Sequence, residues 1–273
     1  MTVLEAVILG TLQGLTEFLP ISSSGHLVLA QQFLGVQEGG VFIDVMLHLG
    51  TLGAVAAVYG RDVSRLARVL IRALFGPDLW TQPAKTISRS ADLSLLLFLF
   101  LASVPTGIIG YAFRDLVSPA FESVGFVGAM LILTGFVLQA PRLFSKPAGE
   151  PQLSLRKAIV IGFVQAIAII PGVSRSGSTI SAALIFGIDA ATAARFSFLL
   201  SIPAILGASF VQLRDVDLVS LSPTAVASGV LASFGVGWLA LIFLLALLRR
   251  GRFGVFSWYC FGLGAIALAT TFL

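Results

Sequence analysis

The chain has 273 residues, 57% hydrophobic and only 11% charged, with a mean hydropathy of +1.01. That composition excludes an ordinary water-soluble domain and predicts an all-α polytopic membrane protein, a helical bundle in lipid. The formal charge of +4 does not point to nucleic acid, because the Lys and Arg residues gather in a few loops, as membrane topology demands; the single Cys260 excludes an internal disulfide.

Residues 2–36 read as an apolar arm, a break at Pro20-Ile21-Ser22-Ser23-Ser24-Gly25-His26, and a second arm. The second arm is about ten residues, against the roughly 20 a span requires, so the pair predicts a re-entrant helical hairpin. Its first arm lacks a basic n-region and a small-residue cleavage site and is expected in the mature fold. Residues 41–59 form the first span, with Asp44 and His48 four apart on one face and suited to helix–helix hydrogen bonding rather than catalysis. The polar segment 61–92 carries Arg61, Arg65, Arg68, Arg72, Lys85 and Arg89, the arginines spaced as in a helix lying along the membrane surface. Residues 93–113 and 124–138 supply two more spans, joined through Arg114, Asp115 and Glu122, and segment 142–157 is again basic.

A second hairpin, 158–188, is broken at Pro171-Gly172-Val173-Ser174-Arg175-Ser176-Gly177-Ser178-Thr179. Spans 193–213, 225–248 and 255–272 follow, with Arg214, Asp215 and Asp217 in one connection and Arg249, Arg250 and Arg252 in the other. The halves resemble each other: Gly10 and Gln13 parallel Gly162 and Gln165, Ser24-Gly25 parallels Ser176-Gly177, and the run 98–105 parallels 196–203, both ending in Pro. We read one integral membrane domain, 1–273, made of repeats at about 1–145 and 150–273, each a hairpin plus three spans and therefore inverted relative to the other. The three basic segments then share the cytoplasmic side, the termini lie outside, and the hairpins enter from opposite faces to meet near the midplane.

Pro171 and Gly172 stop one helix, and the following Ser-Arg-Ser-Gly-Ser-Thr run opens the next, aiming backbone N–H groups, hydroxyls and a guanidinium at one point. Arg175 stands far from either end of its apolar surroundings, where an ionisable residue marks function by default. Phosphate is the ligand such a set suits. Opposite it, Gln13 and Glu17 share a helix face, with Ser22, Ser23, Ser24 and His26 at its end. Glu17 is a candidate metal ligand or proton acceptor, and His26 a candidate acid, base or nucleophile. The serines fit equally as helix caps. Neither a zinc-type cluster nor a Walker motif occurs.

Gln13-Gly14-Leu15-Thr16-Glu17-Phe18-Leu19-Pro20 with Ser22-Ser23-Ser24-Gly25-His26, and Pro171-Gly172-Val173-Ser174-Arg175-Ser176-Gly177 with Thr179, resemble the two signatures of the undecaprenyl-diphosphate phosphatase, or bacitracin resistance, family. The resemblance implies six transmembrane helices and two re-entrant hairpins in a multi-pass protein of the bacterial inner membrane. It implies removal of the terminal phosphate from a polyprenyl diphosphate at the outer face, with Mg²⁺ or Ca²⁺. Carried over, Glu17 is similar to the metal-associated acid, Arg175 to the diphosphate clamp, and His26 and Ser23 to the nucleophile or base. Ser174, Ser176, Thr179, Gly172, Gly177 and Gln13 resemble substrate contacts. Gln13 stands where the family admits Glu or Gln, which leaves Glu17 as the charged metal ligand of that motif. The rival reading is a polyprenyl-lipid transporter or flippase on the same inverted repeat. The expected partners are the lipid substrate and the surrounding membrane lipid; homo-oligomerisation is left open.

Overall fold

The computed structural model describes residues 1–34, 40–144, 153–212 and 222–271. Lys146 and the connection with Arg214, Asp215 and Asp217, on which part of the loop-charge reading rests, lie outside the described residues. Helix α1 (Val3–Phe18) and α2 (Ser23–Leu34) form the first hairpin, and α3 (Gly40–Val58) follows. Helix α4 (Gly60–Phe75) leaves the axis of α3 at 87°, and α5 (Pro77–Thr81) and α6 (Pro83–Arg89) lead to α7 (Ala91–Ala112). After α8 (Arg114–Val117) and a 3-10 turn comes α9 (Val124–Phe144). The second half holds α10 (Leu155–Ile167), α11 (Arg175–Ile185), α12 (Ala190–Gln212), α13 (Pro223–Arg249) and α14 (Phe256–Ala269). Among the described residues there is no strand.

Local chemistry accounts for the boundaries. Thr2 and Glu5 make a reciprocal capping box on α1, with the Thr2 hydroxyl accepting from Glu5 N–H at 3.2 Å and the Glu5 carboxylate accepting from Thr2 N–H at 2.7 Å. Ser154 and Ser90 cap α10 and α7. Helix α4 carries Arg61, Arg65, Arg68 and Arg72 and buries only Leu66, as an interfacial helix does. Of the six spans the sequence predicts, α7, α9, α12 and α13 are long and apolar enough to cross a membrane by themselves. The first, α3, has 19 residues and meets α4 at a sharp bend. The last is shorter than predicted: α14 has 14 residues, starting one residue later than the predicted span, behind a 3-10 turn over Phe253–Val255, and ending at Ala269 rather than at 272. Large exposed apolar side chains, such as Ile108, Phe136, Leu231 and Ile266, face outward where lipid would lie.

The packing partners repeat between the halves. Helix α1 packs on α13 and α10 on α7, while α3 meets α12 and α9 meets α14. By this pattern the counterpart of α7 is α13. The similar runs 98–105 and 196–203 lie on α7 and α12, so their likeness is not that of equivalent helices; both are apolar helices with an internal Pro. Lipid gives helices no hydrophobic reason to associate, so close approach of small residues holds the interfaces. A Cβ added at Gly10 would sit 2.2 Å from the Gly229 carbonyl oxygen, and one at Gly14 would sit 2.6 Å from that of Ser233. Gly162 repeats the device on α10, where a Cβ would lie 2.2 Å from the Ala102 carbonyl.

Because α1 carries Glu17 at its far end, this seam positions the site. Gly10→Ala is expected to destabilise the detergent-solubilised protein by about 2–3 kcal/mol through overpacking. Gly107→Ala, where no atom lies within 4 Å, is expected to be neutral or to stabilise by up to about 1 kcal/mol. Thermal unfolding of the two variants decides it; equal responses would remove the α1–α13 seam as a determinant of packing.

Candidate active site

Two chain breaks build the site, and they use one device. Beyond α1, Ser22 adopts φ 70°, a left-handed conformation uncommon for a residue with a side chain. From there it caps α2, its hydroxyl accepting from Gly25 N–H at 3.3 Å and its carbonyl from His26 N–H at 3.2 Å. Ser174 caps α11 likewise, its hydroxyl accepting from Gly177 N–H at 3.1 Å and its carbonyl from Ser178 N–H at 2.9 Å. The hydroxyls of Ser22 and Ser24 lie 3.3 Å apart, as do those of Ser174 and Ser176. Ser23 and Arg175 therefore hold the same place, the first residue of their helices.

The breaks touch. A Cβ on Gly25 would come 3.2 Å from Gly172 Cα, and Gly172, at φ +92°, has no room for one of its own, with Val127 O and Met130 Cβ 2.6 Å from that position. The Thr134 hydroxyl of α9 donates to the Gly172 carbonyl at 2.8 Å and accepts from Ser174 N–H at 3.1 Å, fastening the second break. Ser176 Oγ reaches across to the Leu19 carbonyl at 3.4 Å.

Glu17 stands at the junction with its side chain only 2% exposed. One carboxylate oxygen pairs with the Arg175 guanidinium. The other accepts from Ser23 Oγ at 2.5 Å and from Gln13 Nε2 at 3.0 Å, with His48 Nε2 at 3.7 Å. His48 Nδ1 faces the Asp44 carbonyl at 2.7 Å, and the Asp44 carboxylate accepts from Gln31 Nε2 at 2.8 Å. The sequence reading assigns Asp44 and His48 to helix–helix bonding; the structure brings His48, 30% exposed, to the carboxylate itself. An i, i+4 Asp/His pair inside an apolar helix was the signal for it.

His26 faces another way. Its Nδ1 lies 2.7 Å from the Ser22 carbonyl, which can only accept, so Nδ1 carries the proton and Nε2 presents a lone pair. The Tyr259 hydroxyl, 2.8 Å from Nε2, donates to it. Tyr259, from α14, has no sequence motif to announce it. Beside this pair opens a mostly apolar cavity of about 350 Å³, lined by Leu12, Leu15, Leu19, Ile21, Val255 and Phe256 among others.

The remaining predicted contacts are placed deeper. Ser174, Ser176 and Thr179 are buried, and Thr179 Oγ1 donates to the Arg175 carbonyl at 2.8 Å and sits 2.6 Å from Ser197 Oγ. Gly172 and Gly177 lie in the turn and cap described above. These groups shape the loop, while Ser23, Ser24 and Arg175 keep surface of their own. Among the described residues no cluster of three or more His, Cys, Asp or Glu side chains is arranged for a metal. The donors that are present suit a hard cation rather than zinc: the Glu17 carboxylate and, on the same helix face, the Gln13 amide oxygen, which is buried without a hydrogen-bond partner. Mg²⁺ and Ca²⁺ accept such a short protein set when water and phosphate oxygens complete the shell.

The family described as bacitracin resistance protein BacA matches residues 6–266. A protein of Desulfosudis oleivorans named undecaprenyl-diphosphatase is 45% identical over 97% of each chain, and one of the same name from Desulforapulum autotrophicum is 40% identical over the full length of both. Another from Methanosphaera stadtmanae is 35% identical over 97% of each. With the match covering both hairpins and every helix between them, the chain belongs to the bacitracin resistance protein BacA family.

Proposed function

We propose that the protein is an undecaprenyl-diphosphate phosphatase, a membrane hydrolase that converts a polyprenyl diphosphate to the monophosphate carrier of peptidoglycan synthesis and so confers bacitracin resistance. One observation carries the reading: two helix N-termini deliver Ser23 and Arg175 to a single buried carboxylate, Glu17. Helix N-termini attract anions and guanidinium forks onto phosphate oxygens, so the terminal phosphate belongs between them. The apolar cavity beside His26 would take the first isoprene units, each buried CH₂ favouring association by about 0.8 kcal/mol.

Ser23 is the nucleophile in this reading, because its hydroxyl already donates to an acceptor that can take the proton. Ser23 Oγ attacks the terminal phosphorus, its proton passes to Glu17, and the bond to the bridging oxygen breaks to release the lipid monophosphate. Water then attacks the phosphoserine, passing its proton to the Tyr259 hydroxyl as that hydroxyl gives its own to His26 Nε2, and Glu17 returns a proton to Ser23 as phosphate leaves. Arg175 and the first N–H groups of α11 stabilise the charge in both steps. Glu17 and the Gln13 amide oxygen would hold Mg²⁺ or Ca²⁺, whose contribution when bound is to neutralise the diphosphate. Tyr259 orients His26.

The protein is a multi-pass membrane protein. We further take residues 1–145 and 150–273 as inverted repeats in the bacterial inner membrane, the site opening outward; the concentration of Arg in 61–92 supports that orientation.

Phosphate release from undecaprenyl diphosphate by the purified protein should require Mg²⁺ or Ca²⁺ and stop with excess chelator. Glu17→Gln and Arg175→Ala should each lower it by roughly 10³-fold in folded protein. Transfer of intact lipid between leaflets with no phosphate released would instead identify a carrier. The nucleophile is tested with substrate labelled in its terminal phosphate. His26→Ala should accumulate an acid-stable protein label that the Ser23→Ala/His26→Ala double variant lacks. An acid-labile label in wild type, abolished by His26→Ala alone, would transfer the role to His26.

A further inference from the structure

A cavity of about 500 Å³, larger than that beside His26, lies at the corner where α3 turns into α4, against the start of α12 and the end of α13. None of its lining residues belongs to the catalytic group. Eleven steps along the chain, roughly 16 Å of helix axis, lead from His48 to Tyr59 at its rim. Three guanidinium-bearing residues line it, Arg61, Arg195 and Arg249, against one carboxylate, Asp62. That carboxylate is already shared, accepting from Arg65 at 2.7 Å and from Arg195 at 2.8 Å. Arg65 in turn reaches Asp92 at 3.3 Å, and Asp189, beside the lining residues Ala190 and Ala191, caps α12, its carboxylate accepting from Ala191 and Thr192 N–H at 3.1 and 3.0 Å.

Arg195 uses only part of its fork. One terminal nitrogen holds Asp62, while its Nε is buried with no hydrogen-bond partner among the described residues. The side chain as a whole is 36% exposed and lines the cavity. Arg249 approaches from the end of α13, and both it and Arg195 lie within electrostatic reach of the Tyr59 phenol. The rest of the wall is apolar, including Val58, Leu245 and Leu248. Anion-binding chemistry thus stands over a hydrocarbon floor, at the end of the spans where the interfacial helix α4 begins.

We propose that this corner is a second anion site, selective for a phosphate group, separate from the catalytic centre and on the arginine-rich face of the protein. The exposed part of the Arg195 guanidinium meets one phosphate oxygen, and Arg61 and Arg249 close on the remaining oxygens. The phosphate can come from the headgroup of an anionic membrane lipid, whose acyl chains would meet the apolar wall, or from free phosphate.

The test uses the full chain in nanodiscs and reads thermal stability and ligand affinity. Phosphatidylglycerol should raise the unfolding midpoint relative to phosphatidylcholine in wild type and equally in Arg175→Ala, whose catalytic site is disabled. The Arg61→Gln/Arg249→Gln variant, which leaves the Asp62–Arg195 pair intact, should bind phosphatidylglycerol roughly tenfold more weakly while keeping wild-type phosphatase activity in detergent. Arg195→Gln should do the same. Titrating inorganic phosphate onto protein in phosphatidylcholine separates the sources: a stabilisation lost in these variants makes free phosphate sufficient, and none makes the lipid headgroup the ligand. A phosphatidylglycerol effect unchanged in both arginine variants, or one abolished by Arg175→Ala, would overturn the second site.

Discussion

Everything in this structure is arranged around a carboxylate and a guanidinium meeting where water is scarce. Glu17 and Arg175 are 158 positions apart in the chain, and the Glu17 side chain is 2% exposed against 21% for Arg175. An uncompensated charge at such a depth would cost several kcal/mol, so α1 must end and α11 must begin at one place. Even paired, buried ions seldom outperform an apolar contact of equal volume in stability. Two helix breaks, a left-handed Ser22, a left-handed Gly172 and a Thr134 clamp are spent on holding them together. Stability does not explain that outlay, and a reaction on a charged group does.

The frame that delivers the pair is repeated, but its chemistry is not. Gly10 and Gly162, Gln13 and Gln165, Ser22 and Ser174, and Gly25 and Gly177 keep one constant spacing, and the glycine and serine pairs each do a similar structural job. At the same spacing Glu17 meets Ile169, Ser23 meets Arg175 and His26 meets Ser178. Gln165 shows the consequence: with no carboxylate near, its amide donates to Thr106 at 3.0 Å. A second carboxylate at position 169 would face the same single arginine and leave one negative charge uncompensated. Symmetric caps therefore supply two positive helix ends, while the asymmetric residues supply one carboxylate, one hydroxyl and one guanidinium.

Much of this was legible in the sequence because membrane burial makes polar residues conspicuous. The hairpins showed as short apolar arms around Pro and Gly, and Glu17 and Arg175 stood out as ions amid hydrocarbon. What stayed hidden depends on contacts between distant segments. Tyr259 is 233 positions from His26, and nothing about an aromatic residue in an apolar helix singles it out. Thr134 is equally anonymous until it is seen bridging Gly172 and Ser174. His48 was visible as an ionisable residue, yet its direction depends on how α3 is rotated against α1, which periodicity alone does not give. The length of α14 escaped for a local reason: apolar composition continues to the end of the predicted span at 272, while the helix already stops at Ala269 and Thr270 caps it.

The run of hydroxyls after Pro171 carries a last physical lesson. Read as residue types, Ser174, Ser176 and Thr179 look like a phosphate cradle; in the structure their oxygens are bonded to a helix end, to the Leu19 carbonyl and to Ser197. Their work is to fix α11 so that its first residue, Arg175, is the group left facing outward. Recognition then rests on few contacts, which is an advantage for turnover, since a ligand held by many buried hydroxyls would leave slowly. In the proposed mechanism Arg175 is the hinge of the chemistry: as phosphate oxygens approach, its fork would divide between them and Glu17, and the carboxylate so released would be free to take the Ser23 proton.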